Sequence, residues 1–68
     1  MLRPGEIGTI IQILAGRGLT LRLIEMGITI GSQVMILHNN SGPIIIQIRN
    51  SRLILGRGVA MKILVEVN

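Results

Sequence analysis

The chain has 68 residues, 49% of them hydrophobic and none of them aromatic or cysteine, and its seven Lys and Arg against three acidic residues give a formal net charge of +4. This length excludes a second domain, because another hydrophobic core could not be filled, so we expect one domain over residues 1–68. The composition excludes a disordered chain, a disulfide scaffold and a thiol nucleophile, and apolar runs of at most four residues exclude a membrane-spanning helix.

Side chains that perform catalysis or hold metal ions are scarce. The chain has a single histidine, His38, and its three carboxylates, Glu6, Glu25 and Glu66, are far apart in sequence. A tight metal site needs several convergent ligands, so we expect no enzyme activity, no metal site and no cofactor. The lack of aromatic residues also removes the stacking platforms of single-strand nucleic-acid binders. Because the N-terminus has no apolar leader segment, we expect a soluble, cytoplasmic chain.

Strands dominate the elements that the sequence predicts, since Ile and Val together account for 18 residues. A turn at residues 3–6 leads into a first strand at 8–14, with a bulge near Ile10 and Ile11 where the apolar alternation slips. A flexible connector at 15–18 and one short helix at 19–26 follow. The later predicted elements are strands at 33–37, 44–49, 52–55 and 62–67, a loop at 38–43, a hairpin turn at Asn50-Ser51 and a loop with a helical turn at 56–61.

The predicted helix is apolar on two sides. At about 100° per residue, Leu23 and Met26 fall in one narrow stripe, and we expect both to plug one end of the core. Leu21 and Ile24 fall nearly opposite, so they favour a contact surface for a partner. The alternative is that they pack under the connector at 15–18.

The element order predicts a small, strongly bent β-barrel that fills its inner face. The residues assigned inward are Ile10, Ile13, Val34, Ile36, Ile44, Ile46, Ile48, Leu53, Leu55, Ile63 and Val65. The strand residues expected to point largely outward are Met35, Leu37, Ile45, Ile54 and Leu64, which either form a contact surface or cover a second small core. The basic residues are scattered, which favours a solvated surface over a phosphate-binding stripe; an acidic partner surface is compatible with their sign.

Three segments resemble the FeoA family of small ferrous iron transport proteins. Residues 22–34 resemble its "RLxxMGxxxGxxV" pattern, residues 42–46 resemble the loop into its third strand, and residues 53–65 resemble its closing "LALxxxxAxxIxV" segment. The three motifs span nearly the whole chain in the right order, which is more specific than any one alone. The matching positions expected to serve the core and turns are Leu23, Met26, Gly27, Gly31, Val34 and Ala60.

The resemblance implies an SH3-like β-barrel of about five strands, with one short α-helix after the first strand. It also implies a non-enzymatic cytoplasmic accessory protein in bacterial ferrous iron uptake, which acts at the inner face of the membrane on an iron permease with a GTPase domain. Many members carry Arg where this chain has Gly56, and we expect Arg57 to replace it. The expected partner-binding residues are Arg17, Leu21, Arg22, Ile24 and Arg57. The family's label of transition metal ion binding is interpreted as describing the transported iron and not a ligand of this chain.

Two other hypotheses for the function of this chain stay open. The turn Gly5-Glu6-Ile7-Gly8-Thr9-Ile10 loosely resembles the KOW-type "GxxGxV" turn of RNA-binding barrels, and the positive charge suits RNA, although basic clusters are missing. A third reading is the detached SH3-like domain of a metalloregulator, without a helix-turn-helix for DNA readout. Self-association, and whether the chain activates or inhibits its partner, are not fixed by the sequence.

Overall fold

Five antiparallel strands and two short helices make up the fold. The structure is a computed structural model that describes residues 2–68; Met1 lies outside the described residues. The strands pair in the order β4-β3-β2-β1-β5, which confirms a mainly β architecture with one helix after the first strand. The elements are β1 (Ile7–Ile13), α1 (Arg17–Glu25), β2 (Gln33–His38), β3 (Ile44–Ile48), β4 (Ser51–Leu55), α2 (Arg57–Ala60) and β5 (Ile63–Val67).

Strand β1 lies between β2 and β5 in the sheet. It pairs with β2 through its first residues and with β5 along its length. Its register with β5 shifts between Ile10 and Gln12, which confirms the predicted bulge and bends the strand. At Gly8 the two strands approach so closely that a Cβ atom would lie 2.3 Å from Cγ1 of Val65 and 2.9 Å from the carbonyl oxygen of Glu66. Only glycine fits there without displacing β5.

The core consists of aliphatic side chains from the strands, from α1 and from the segments beside them. Most of its members were predicted from strand alternation, whereas Leu2 and Ile28 were not, because neither lies in a periodic segment. Ile13, Leu53, Ile63 and Val65 are only half-buried and pack around the core. The buried residues are Leu2, Ile10, Leu23, Ile28, Val34, Ile36, Ile44, Ile46, Ile48 and Leu55.

Helix α1 begins two residues earlier than the sequence predicts, so half of the expected flexible connector is helical. Gly16 is its N-cap in an extended conformation, and its carbonyl oxygen accepts a 2.9 Å hydrogen bond from the N–H of Thr20. The hydroxyl of Thr20 donates a 3.1 Å bond to the carbonyl of Ala15. The apolar stripe begins at residue 19, but the backbone hydrogen bonds place the first helical residue at Arg17.

The hairpin turn between β3 and β4 is Arg49-Asn50, not the predicted Asn50-Ser51. Ile48 pairs with Ser51 across it, and Arg49 has φ of 55°, the left-handed conformation that such a turn needs. The predicted turn would have placed Arg49 opposite Arg52, and like charges directly opposite destabilise a sheet. At the other end of β3, His38 lies in β2 and pairs with Ile45, although it was expected in the loop.

The sheet is open between its two edge strands, β4 and β5, rather than closed as a filled barrel. An apolar cleft of about 450 Å³ is lined by residues of all five strands and of α2, and it includes the core residues Ile10, Val34 and Ile44. Over residues 2–68, neither helix has the length and apolar character needed to cross a membrane.

Candidate interaction surfaces

The first candidate surface is the side of α1 that faces away from the sheet. Leu23 is 1% exposed, whereas Leu21 is 54% and Ile24 46% exposed. Residues 17, 21 and 24 have the i, i+4, i+7 spacing of one helix face, so exposed Arg17 lies on the same side. We call Arg17, Leu21 and Ile24 the α1 outer face.

The exposure of Leu21 and Ile24 excludes their packing under the connector that precedes α1. Residues 17 and 18 of that connector are themselves helical. Isolated exposed aliphatic residues are common on protein surfaces, whereas adjacent ones on one helix face indicate a contact surface. Arg22 and Glu25 are exposed as well and lie at the edge of the α1 outer face. The surface is therefore apolar at its centre and charged at its margin, as in protein interfaces.

Met26 does not plug the core as the sequence predicted, since it is 40% exposed. It is the C-cap of α1, and the following Gly27 has φ of 92°, which turns the chain away from the helix axis. The N–H of Ile28 then donates a 2.9 Å hydrogen bond to the carbonyl of Leu23, and Ile28 is completely buried. Ile28 therefore occupies the place expected for Met26.

The other positions of the family patterns lie in turns or in the core. Gly31 has φ of 94°, and its N–H donates a 2.7 Å hydrogen bond to the carbonyl of Ile10, which fixes the turn into β2. Val34 is buried in β2, and Ala60 of α2 is half-buried against the core.

The guanidinium of Arg57 binds the loop between β2 and β3. Its Nη1 atom donates hydrogen bonds to the carbonyl oxygens of Asn40 and, at 3.0 Å, of Gly42. These contacts fasten α2 to residues 39–43. The sequence predicted Arg57 as a partner contact, and the structure shows that it is bound to this loop.

The few potential metal ligands lie on different elements. His38 ends β2, Glu25 ends α1, Glu66 is in β5 and Glu6 precedes β1. Within the described part of the chain, no three His, Cys, Asp or Glu side chains come together in a group that could hold a metal ion.

Sequence and structure comparisons agree on one family. A model of the FeoA domain matches residues 1–67. A protein of Methanocaldococcus jannaschii, whose name Fe(2+) transport protein A is itself provisional, is 45% identical over 64 residues, covering 94% of this chain and 78% of that protein. These matches favour an iron transport protein over an RNA-binding barrel.

Known structures give the same result. The crystal structure of an iron uptake regulatory protein, FeoA, superposes with a TM-score of 0.92 at 32% identity, covering 98% of this chain and 91% of that one. A manganese-dependent transcriptional repressor superposes with a TM-score of 0.88 at 25% identity, but this chain spans only 34% of it. The metalloregulator likeness is therefore a likeness to one part of a longer protein. The family model and the 45% identical relative show that this chain belongs to the FeoA family.

Proposed function

We propose that this chain is a non-enzymatic accessory protein of ferrous iron uptake, which binds the cytosolic part of a membrane iron permease that carries a GTPase domain. It would work in the cytoplasm, held at the inner face of the membrane by that partner. Membership of the FeoA family and the names of its relatives support the role in Fe(2+) transport. The scarcity of convergent polar side chains supports an interaction role over a catalytic one.

The α1 outer face is the observation that carries this proposal. Leu21 and Ile24 contribute little to folding while they face water, and each would contribute on the order of 1 kcal/mol when a partner covers its exposed half. Both lie on a helix that is anchored to the sheet by buried Leu23. A rigid helix presents these side chains with little loss of conformational entropy on binding.

Charge defines the kind of surface that the partner presents. Arg17 lies on the α1 outer face, Arg22 lies at its margin, and the chain carries a net charge of +4. A patch with an apolar centre and acidic surroundings on the permease would match both features. Opposite charges of this kind accelerate association and fix orientation.

The experiment is capture of the permease's purified cytosolic part by immobilised chain, comparing wild type with Leu21→Asp and Ile24→Asp. Both variants are expected to fold with little change in Tm and to lose capture. The matched control is Ile54→Asp, which places the same charge on a β4 side chain that is 67% exposed and should retain capture. Leu23→Asp should unfold the domain, since it buries an unpaired charge.

Two results would contradict the proposal. If Leu21→Asp and Ile24→Asp fold and still capture the permease part, binding does not use the α1 outer face. If Ile54→Asp loses capture as completely as they do, the α1 outer face has no special role. Absence of binding by the wild-type chain would remove the proposed partner itself.

A further inference from the structure

One edge of β5 has no partner strand among residues 2–68, since β5 ends the sheet beside β1. Toward β1, the carbonyl of Lys62 accepts a 2.7 Å hydrogen bond from the N–H of Leu14, and the N–H of Asn68 donates a 3.1 Å bond to the carbonyl of Ile7. Bonded residues alternate in an antiparallel ladder. The main-chain groups of residues 63, 65 and 67 therefore point toward the free edge.

The side chains of β5 divide into two rows. Leu64 and Glu66 lie on the exposed face, exposed Lys62 directly precedes the strand, and Ile63 and Val65 lie half-buried against the core. The exposed row therefore carries a positive charge, an apolar residue and a negative charge at two-residue intervals. When two copies of this row run antiparallel to each other, the positive charge of one lies opposite the negative charge of the other.

We propose that two copies of this chain associate through their β5 edges, antiparallel, about a two-fold axis at Leu64. In this register Lys62 of each copy lies opposite Glu66 of the other, and the two Leu64 side chains meet between these ion pairs. The outward-pointing groups of Ile63 and Val65 then pair across the axis and form four main-chain hydrogen bonds. The two sheets become one, with the half-buried apolar rows side by side.

Charge favours both this register of β5 against β5 and the use of the β5 edge over the β4 edge. The neighbouring registers that keep the same hydrogen-bonding residues place Lys62 or Glu66 opposite Leu64, so the ion pairs are lost. At the other edge of the sheet, the only charged side chain of β4 is Arg52, so two copies meeting there would gain no opposite charges. A contact of β4 with β5 would be heterologous and would build a ring or an open filament in place of a two-fold dimer.

The test is sedimentation equilibrium of the full chain up to millimolar concentration. Wild type is expected to show a monomer–dimer equilibrium. Lys62→Glu and Glu66→Lys each convert two attractive cross-strand pairs into two repulsive ones, and should each raise the dimer dissociation constant about tenfold. The double variant Lys62→Glu/Glu66→Lys exchanges the charges and should restore the wild-type constant. Arg52→Glu changes the net charge as Lys62→Glu does and should leave it unchanged.

A second readout follows the main chain. Hydrogen exchange at the N–H groups of Ile63 and Val65 should slow as concentration rises, while exchange at the N–H of Leu64, which faces β1, should depend little on concentration. The proposal is overturned if the chain is monomeric at every concentration. It is equally overturned if a dimer forms but the double variant fails to recover it, or if Arg52→Glu weakens it as much as Lys62→Glu.

Discussion

The N–H of Ile28 donates a hydrogen bond of 2.9 Å to the carbonyl oxygen of Leu23, across the end of α1. The N–H of Gly27 donates a second bond of 2.9 Å to the carbonyl of Ile24, and together these two bonds form a Schellman motif. Ile28 and Leu23 are both fully buried, so the motif anchors α1 to the core. It thereby fixes the direction in which Leu21 and Ile24 point.

Gly27→Ala should destabilise the fold by about 1–2 kcal/mol, because Gly27 has φ of 92° and a Cβ atom is strained there. Gly18→Ala is the matched change within α1, where no atom lies within 4 Å of the added Cβ and φ is not positive. It should stabilise the fold by about 0.5–1 kcal/mol. Denaturant unfolding measures both, and equal effects of the two substitutions would contradict this description of the helix end.

Ile46→Ala should cost about 2–5 kcal/mol, a large part of the stability of so small a domain. Ile46 is buried in β3 and lines the core beside Ile36, its partner in β2. Ile54→Ala removes the same atoms from an exposed position and should cost less than about 0.5 kcal/mol. Thermal unfolding of the two variants decides whether β3 presents its even-numbered residues to the core.

Arg57→Met should remove both contacts that Nη1 makes with the carbonyl oxygens of Asn40 and Gly42, because a thioether carries no hydrogen-bond donor. We expect a loss of about 1 kcal/mol, as is typical for exposed hydrogen bonds, and faster hydrogen exchange in residues 39–43. If exchange in that loop is unchanged while permease capture is lost, Arg57 acts as the partner contact that the sequence predicted.

The isolated protein should show no saturable binding of Fe(II) or Zn(II) at micromolar concentration. Fe(II) prefers imidazole and carboxylate ligands, and no group of three His, Cys, Asp or Glu side chains that could hold a metal ion comes together among the described residues. Calorimetry at neutral pH under anaerobic conditions tests this. A one-to-one site that disappears in His38→Ala would show that the chain binds the metal itself.

The spacing of apolar residues predicted those features that depend on residues close together in the sequence. Strand alternation located most of the core, and the 3.6-residue period separated Leu23 from Leu21 and Ile24. Burial of Ile28 in place of Met26 was not predicted, because the apolar stripe continues to residue 26 while the Schellman motif ends the helix before it. The stripe alone does not indicate which apolar residue after the helix returns to the core.

Two other features depend on segments distant in sequence. The bonds of Arg57 reach main-chain carbonyls 15 and 17 residues away, and a carbonyl carries no sequence signal. The open side of the sheet reflects the missing pairing of β4 with β5, whereas the strand pattern alone is equally compatible with a closed barrel. The turn at Arg49-Asn50 was misplaced because Asn is the commoner first turn residue, while the register of β3 against β4 decides the outcome.

The most direct test of permease binding through the α1 outer face is an NMR titration. The ¹⁵N-labelled chain is titrated with the purified cytosolic part of the permease, and the signal of every backbone amide is followed. If the permease binds the α1 outer face, the largest chemical-shift changes should occur at Arg17, Leu21 and Ile24 and their neighbours in the helix, and the signals of β4 should change little. Changes confined to the strands or to the β2–β3 loop would contradict the assignment of α1 as the docking surface, and an unchanged spectrum at saturating partner would contradict the interaction itself.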